Sequence, residues 1–319
     1  MMEFDRVNLF VVRGKLHSIQ TLEIIERFCR EEKNIIIFLY HKELLEDQKN
    51  SYAFHDKLNE ISYKNYNLFE SKGFFYNFIK FFPLFLLSRI SNGAIFNPCV
   101  DECQITTLLK LSVVRKLYAF DDGAANFYDN SHYYSEEPLA KAGFKRAVLR
   151  YLFPKGCQYW NRQNITKYFT STKQKTNFAI NGKKISFEID WQSYIFKSDL
   201  KHLNFDIRNV AIGTPIDEQP DPEWTNATRE FLLDNVDLYL AHPREKIQDT
   251  KKRNALILST LSSSESILLY LSAKNNISVF HFSCTTANFL SKSKKIKFKN
   301  LVKDGVLIPD YEFKEKFFI

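Results

Sequence analysis

The chain has 319 residues, enough for one large or two medium domains with a substantial core. Hydrophobic residues make up 45% of the sequence and charged residues 26%, as in a folded globular protein, and the net charge of +8 favours anionic partners. Nucleic acid is not expected among them, because zinc-finger spacing, an RNP-type motif and a basic-region helix are all missing from the sequence. The five cysteines are scattered, so we expect thiols in a reducing compartment and no zinc site.

The N-terminal sequence does not have the pattern of a signal peptide. Its apolar run is short, follows two acidic residues and is interrupted by Arg13. No apolar stretch reaches the roughly 20 residues of a membrane-spanning helix. We therefore expect a cytoplasmic protein.

Strands and helices are predicted to alternate in the first half of the chain. Two short apolar runs, 7–12 and 34–40, predict buried strands, and the apolar spacing over 17–30 predicts a helix between them. This order indicates a parallel βαβ unit. Further predicted elements are a polar helical segment over 44–67, a buried helix pair over 74–90 kinked at Pro83, a strand over 94–97, a helix over 108–114, a strand over 116–120 and a basic helix over 138–153.

Two segments have a second interpretation as surfaces that contact a membrane. The stretch 74–90 is the most apolar of the chain, and a lipid-facing element is the alternative to a buried helix pair. The tail from Ser291 interleaves lysines with apolar residues, which predicts either a solvated helix or a surface that docks on anionic lipid.

A second alternating run of strands and helices begins near residue 209. Strands are predicted over 210–212, 236–240, 255–258 and 277–282, with helices over 226–234 and from Glu265. An acidic, proline-rich segment after the first of these strands is expected to form a loop near a cleft. We therefore predict an α/β protein with two Rossmann-like lobes, residues 1–208 and 209–319, and a cleft between them.

Two adjacent carboxylates, Asp121 and Asp122, follow the predicted strand over 116–120, and Gly123 supplies the backbone freedom for a tight turn. Ligands of open α/β sheets bind at the carboxyl ends of the strands. The pair is therefore suited to abstracting a proton or to holding a sugar hydroxyl. The alternative is that one of the two carboxylates caps the next helix.

His242 ends a predicted strand of the second lobe, and Pro243 restricts it to an extended backbone. Its imidazole could donate a proton to a leaving phosphate, with Arg244 adding positive charge. Hydroxyl residues precede two later helices, where they could help the backbone amides to bind phosphate or could simply cap the helix. Glu265 could bond ribose hydroxyls or take part in that capping. The hydroxyl residues are Ser262, Ser263, Ser264, Ser283, Thr285 and Thr286.

The motifs Asp121-Asp122-Gly123, His242-Pro243 and Thr285-Thr286, in this order, resemble the pattern of bacterial sialyltransferases. The chain length and the N-terminal strand, turn and helix look most like glycosyltransferase family 52, the lipooligosaccharide and capsule sialyltransferases. The resemblance spans residues 118–286, and no GxGxxG, P-loop or DxD metal motif competes with it.

This resemblance implies a GT-B fold, CMP-sialic acid as donor substrate, inversion at the anomeric carbon and neither a metal nor another cofactor. It makes His242 the acid for the departing CMP phosphate. The base would be Asp121, in the pair with Asp122, or a carboxylate shortly before the His-Pro motif, Asp217 or Asp221. The implied donor-binding residues are Gly123, Gly213, Pro243, Arg244, Ser263, Ser264, Glu265, Ser283, Thr285 and Thr286.

The resemblance also implies a galactosyl-terminated glycan acceptor, in lipooligosaccharide or capsule, with the linkage left open. Relatives include a domain-swapped dimer and membrane-associated enzymes, so a homodimer and a peripheral position on the inner face of the plasma membrane are expected. Two alternatives remain. One is a glycosyltransferase of the same fold that uses another nucleotide sugar, and the other is a non-catalytic assembly protein at the membrane surface.

Overall fold

The computed structural model describes two compact units of the chain, Met1–Ile189 and Asp190–Ile319. The sequence pattern placed the domain boundary near residue 208, whereas the division falls at 189. The described residues are 5–40, 54–69, 74–127, 131–136, 150–172, 176, 178–203, 206–216, 219, 221–242, 245, 253–282, 284–302 and 316–318.

The first unit is built on a parallel sheet of seven strands in the order β3-β2-β1-β4-β5-β6-β7. The strands are β1 Val7–Val12, β2 Lys33–Tyr40, β3 Lys64–Phe69, β4 Ile95–Phe96, β5 Leu117–Phe120, β6 Ile165–Thr170 and β7 Lys183–Ser186. The helices are α1 Lys15–Ile24, which continues as a π turn over Ile25–Cys29, then α2 His55–Ile61, α3 Phe74–Ile90, α4 Cys103–Leu111 and α5 Cys157–Asn164.

The predicted strands over 7–12, 34–40, 94–97 and 116–120 are confirmed, as is the parallel pairing of the first two. The helical prediction for 44–67 is wrong from Lys64 onward, where β3 begins. β3 lies at the edge of the sheet, and Leu68 is its one buried residue, so its sequence lacks the continuous apolar run of a central strand. Residues 41–53 lie outside the described part of the chain.

One helix, α3, occupies the apolar stretch that was predicted to be a helix pair, with Pro83 inside it. Phe81 and Phe85 are fully buried and pack with strand residues of the first sheet, including Leu9 and Ile37. Among the described residues, no helix is both long enough and apolar enough to cross a membrane. Most of the basic helix predicted over 138–153 falls outside the described residues.

The second unit is built on a parallel sheet of six strands in the order β10-β9-β8-β11-β12-β13. The strands are β8 Asn209–Ile212, β9 Leu238–Leu240, β10 Leu256–Leu258, β11 Ile277–His281, β12 Ile296–Val302 and β13 Lys316–Phe318. The helices are α6 Lys197–Leu200, α7 Pro222–Asn235, α8 Ser264–Ser272 and α9 Thr285–Leu290. The strands and helices predicted between residues 210 and 282 are confirmed.

The helix predicted for the lysine-rich tail is wrong over Ile296–Val302, which form strand β12. Ile296 and Phe298 are buried, whereas Lys297 between them is exposed. Alternation with a period of two residues is typical of a strand, since successive side chains point to opposite faces of the sheet.

Both sheets have the strand order of doubly wound α/β units, and the predicted α/β class is confirmed. The order reverses between β1 and β4 in the first sheet and between β8 and β11 in the second. Ligands of such sheets bind at the carboxyl ends of the strands beside this reversal. Ligands are therefore expected at the carboxyl ends of β1 and β4 in the first unit and of β8 and β11 in the second.

Candidate active site

Asp121 lies inside the first unit, directly after β5. Its side chain is fully buried, and it accepts hydrogen bonds from the Tyr168 hydroxyl at 2.5 Å and from the Ser171 backbone N–H at 3.0 Å. Burial raises the pKa of the Asp121 carboxyl to about 6, although these hydrogen bonds oppose the rise. Asp121 thus ties the end of β5 to the end of β6.

Asp122 points in a different direction, toward the end of β1. Its carboxylate contacts Arg13 Nη2 at 3.0 Å and His17 Nε2 at 2.6 Å, and it accepts a hydrogen bond from the Tyr133 hydroxyl. Burial opposes ionisation of Asp122, but Arg13 and His17 outweigh it and lower its pKa to about 2. Asp122 is therefore an anion held by a cation and two further donors.

The turn after the two carboxylates follows the sequence prediction. Gly123 has φ 77°, in the region that favours glycine, and a short 3-10 turn covers Gly123–Asn126. The Asn126 side chain accepts a hydrogen bond from the Asp122 backbone N–H at 2.9 Å. Asp121 bonds to residues at the end of β6, and Asp122 bonds to Arg13 and His17, which come after β1. These contacts argue against the alternative that one of the two carboxylates caps the next helix.

Loop residues after β4 complete the cluster around Arg13. Its Nη1 atom lies 3.8 Å from an Asp101 oxygen and 3.6 Å from a Glu102 oxygen. Since Arg13 follows β1 and the two acids follow β4, they meet where the strand order reverses. One arginine and three carboxylates of the first unit therefore lie together at the carboxyl ends of the strands, where a ligand is expected.

A possible metal-ligand set also lies in this cluster. Among the described residues, ligand atoms of His17, Cys99 and Asp122 lie within 4.8 Å of one another. His17 Nδ1 accepts a hydrogen bond from the Arg13 backbone N–H at 3.2 Å, so Nε2 is the nitrogen that donates to Asp122. The hydrogen bonds already made by His17 and the neighbouring guanidinium of Arg13 indicate an ion-pair network, in which Arg13 supplies the positive charge.

In the second unit, a buried glutamate organises the turn that carries His242. Glu245 accepts hydrogen bonds from the Tyr239 hydroxyl at 2.6 Å and from the His242 backbone N–H at 3.0 Å, and Arg229 lies 4.0 Å away. Burial raises the pKa of Glu245 against the opposing effect of these partners. A Cβ atom at Gly213 would lie 2.0 Å from the Glu245 carboxylate and 2.8 Å from the His242 nitrogen. The close approach of the Glu245 carboxylate and the His242 backbone nitrogen therefore requires glycine at residue 213.

The serines before α8 have different partners. Ser262 is fully buried, and its hydroxyl donates to Asp199 at 2.6 Å. Ser263 caps α8 by accepting a hydrogen bond from the Ser266 backbone N–H at 3.2 Å. Ser264, the first helical residue, is partly exposed at the carboxyl edge of the sheet. Of these three serines, Ser264 is the one that neither bonds Asp199 nor caps α8.

Glu265 and the start of α9 lie close together. Glu265 is the second residue of α8, so Ser266 and not Glu265 occupies the third position that a capping box requires. Burial raises the pKa of Cys284 to about 12, and the Glu265 charge contributes to the rise. Cys284 precedes Thr285 and Thr286, which begin α9 beside the reversal of strand order. Helices α8 and α9 also contact each other, so the predicted Glu265 and threonine pair lie in the first turns of two neighbouring helices.

Comparison with known proteins gives the family of the chain. A profile of glycosyltransferase family 52 matches residues 31–303. The chain belongs to this family. A CMP-N-acetylneuraminate:beta-galactoside alpha-2,3-sialyltransferase from Pasteurella multocida (strain Pm70) is 22% identical over 259 residues, which covers 75% of this chain and 80% of the relative. The family expected from the three motifs is confirmed.

In this family 52 glycosyltransferase, the structure collects the predicted residues at two sheet edges. Asp121, Asp122 and Gly123 directly follow β5 of the first sheet. The other predicted residues that the structure describes lie at the carboxyl ends of strands of the second sheet: Gly213, His242, Ser263, Ser264, Glu265, Thr285 and Thr286. Asp221 caps α7 by accepting a hydrogen bond from the Trp224 N–H at 3.0 Å. The predicted residues Asp217, Pro243, Arg244 and Ser283 lie outside the described part of the chain.

Sequence reasoning missed several polar residues that contact the predicted ones. Arg13, His17 and Tyr133 hold Asp122, and Glu245 holds the backbone of His242. A usable signal existed for Glu245, which lies three residues after His242 of the His-Pro motif. Arg13 and His17 come soon after β1, and Asp121 and Asp122 come directly after β5. No local sequence pattern indicates that the ends of these two strands lie close together.

Proposed function

We propose that this family 52 enzyme is an inverting sialyltransferase with a fold of the GT-B type. It would transfer sialic acid from a CMP-linked donor to a galactose-containing glycan of lipooligosaccharide or capsule, without a metal ion. One observation carries the proposal: predicted residues meet at the carboxyl ends of adjacent strands of the second sheet. Gly213 follows β8, His242 follows β9, and the starts of α8 and α9, with Glu265, follow β10 and β11. The donor and acceptor named for the Pasteurella relative support this choice of substrates.

In the proposed reaction, a carboxylate base removes the proton from a galactose hydroxyl. The resulting oxygen attacks the anomeric carbon of sialic acid from the face opposite to the phosphate, and the bond between that carbon and the phosphate oxygen breaks. His242 donates a proton to the departing phosphate, while Ser264, Thr285 and Thr286 hydrogen-bond its oxygens. A single displacement of this kind inverts the anomeric configuration.

The identity of the base can be tested by two matched substitutions. Asp121 has a fully buried side chain with both oxygens in hydrogen bonds, so we propose Asp217 as the base and a structural role for Asp121. Asp217→Asn is expected to lower kcat by about 10²–10⁴-fold at unchanged stability. Asp121→Asn is expected mainly to lower the free energy of unfolding, by about 1–3 kcal/mol. Steady-state kinetics and urea unfolding measure both effects, and the reverse result would make Asp121 the base.

The donor is tested by thermal unfolding of the purified chain with CMP, UDP or GDP, each with and without magnesium. A ligand that binds only the native state raises the unfolding temperature. We expect a rise with CMP alone, and we expect magnesium to leave that rise unchanged. A rise only with UDP or GDP would keep the glycosyltransferase assignment but reject the sialic acid donor. No rise with any nucleotide would favour the non-catalytic alternative.

Membrane contact is proposed for one face of α3. Tyr76, Ile79, Leu87 and Ile90 are 52%, 61%, 41% and 62% exposed, and their spacing places them with exposed Pro83 along one side of the helix. The formal net charge of +8 suits an anionic lipid surface.

We expect the chain to float with vesicles that contain phosphatidylglycerol and Ile79→Ser/Ile90→Ser to reduce the bound fraction several-fold, because apolar area drives such binding. The matched control is Tyr151→Ser/Ile180→Ser, which removes exposed apolar side chains elsewhere in the first unit. Equal flotation of both variants would reject this face as the lipid contact. A dimer that the first variant dissociates would show that a second copy covers it.

A further inference from the structure

Two cysteines that are distant in the sequence meet in the first unit. Cys103 is the first residue of α4, Cys157 is the first residue of α5, and their Sγ atoms lie 2.9 Å apart. A disulfide bond is about 2.05 Å long, so the sulfurs are within about 1 Å of bonding distance. Neither cysteine is in a disulfide in this structure. Local rearrangement of side chains would be enough to join them.

The two helices are already fixed to each other beside these cysteines. Asn161 of α5 donates hydrogen bonds to the Val100 carbonyl at 2.7 Å and to the Thr106 hydroxyl of α4 at 2.6 Å. Cys157 also packs in a small apolar cluster with Phe153. The 2.9 Å approach is therefore part of a packed interface between α4 and α5.

We propose that Cys103 and Cys157 form a reversible intramolecular disulfide. Cys157 is only 3% exposed, whereas Cys103 is partly exposed, so a small oxidant reaches Cys103 first. With glutathione disulfide, the Cys103 thiolate attacks one sulfur and releases one glutathione thiolate. Cys157 then loses its proton, its sulfur attacks Cys103, and the second glutathione leaves. The two protein thiols lose two electrons and two protons in total, and the glutathione disulfide is reduced to two thiols.

The second step is expected to depend on pH. The Cys157 thiol donates a hydrogen bond to Cys103, and this bond together with burial raises the pKa of Cys157 above its ordinary value. Because the thiolate is the nucleophile, ring closure should be faster at higher pH. Mixed disulfide on Cys103 should therefore persist longer at lower pH.

The bond would lie beside the carboxylate cluster of the first unit. Glu102 directly precedes Cys103 and lies 3.6 Å from Arg13, which holds Asp122 at 3.0 Å. Oxidation would thus restrain the start of α4 next to the carboxylate cluster around Arg13, a candidate binding site. Disulfides in reducing compartments are usually transient and regulatory, which fits a reversible bond at this place.

The experiment maps cysteine pairing in the full chain after incubation with glutathione disulfide or with dithiothreitol. Remaining thiols are alkylated, and the protein is digested without reduction and analysed by mass spectrometry. We expect a peptide pair linked through Cys103 and Cys157, two hydrogen masses below the sum of its thiol forms, which dithiothreitol removes. The link should be lost in Cys103→Ser and kept in Cys29→Ser, which removes a cysteine outside the pair.

Unfolding temperature gives a second measurement that needs no enzymatic assay. A disulfide restrains the unfolded chain, so oxidation should raise the unfolding temperature of the wild type but not of Cys157→Ser. Glutathione that stays on Cys103 in the wild type at alkaline pH would overturn the proposal. So would full alkylation of both thiols after oxidation, or a link from either cysteine to a different partner.

Discussion

Replacing His242 with alanine is expected to lower kcat for sialyl transfer by about 10²–10⁴-fold, the usual contribution of a general acid. The fold should persist, because the described hydrogen bond that anchors this turn uses the His242 backbone N–H and the Glu245 carboxylate. Alanine keeps that N–H and removes only the ring. Transfer kinetics across pH should show the loss of one limb of the wild-type profile, with an unfolding temperature close to that of the wild type.

His202→Ala provides the control for this prediction. His202 is an exposed histidine of the second unit, two residues after the end of α6 and far in sequence from the His-Pro motif. Its removal should leave kcat within about twofold, as expected for a surface substitution away from a site. Turnover like that of the wild type in His242→Ala would remove His242 from the mechanism.

Asp122→Asn is expected to lower the free energy of unfolding at pH 7 by about 3–5 kcal/mol, the typical cost of breaking a buried ion pair. Asparagine carries no charge, so Arg13 would lose its nearest carboxylate, at 3.0 Å, and would keep only the more distant Asp101 and Glu102, at 3.8 Å and 3.6 Å. Urea unfolding measures the loss. Glu136→Gln is the matched control, because both side chains of its ion pair with Lys155 are more than half exposed, solvent screens their charges, and the free energy of unfolding should change little.

The same carboxylate gives a pH dependence with a definite sign. The folded pKa of Asp122 is about 2, below the ordinary aspartate value of about 3.9, so its contribution is present above about pH 4 and is lost as the pH falls toward 2. The contribution is about 2.6 kcal/mol and should be missing from the acid unfolding profile of Asp122→Asn. An unchanged acid profile in the variant would contradict the proposed ion pair.

Asp121 should have the opposite effect on the pH dependence of the free energy of unfolding. Its pKa is raised to about 6 in the folded protein, so the folded state binds the proton more tightly than the unfolded chain does. The stability that this group contributes is therefore present below about pH 4 and is lost as the pH rises through 6. Two adjacent carboxylates thus have opposite effects on stability, which only their different surroundings explain.

The sequence by itself determined the α/β class, most of the strands and the family. Apolar runs such as Val7–Val12 and Ile277–His281 report buried parallel strands because both faces of such strands are covered by helices. The carboxylate pair and His242 were found because they directly follow apolar runs of this kind. Local patterning was misleading at β3, an edge strand with one buried residue, and at β12, where lysines alternate with buried residues.

Only the tertiary structure decided which residues are partners. Asp122 pairs with Arg13 and His17, which lie 109 and 105 positions away in the chain, and Cys103 meets Cys157 across 54 positions. These pairs depend on the order of strands in the sheet, which places β4 beside β1 and β5 beside β4. Periodicity reports the local conformation of a segment, but the neighbours of a segment are set by packing of the whole unit. For this reason the sequence could name Asp121 and Asp122 together, while their separate roles became visible only in the fold.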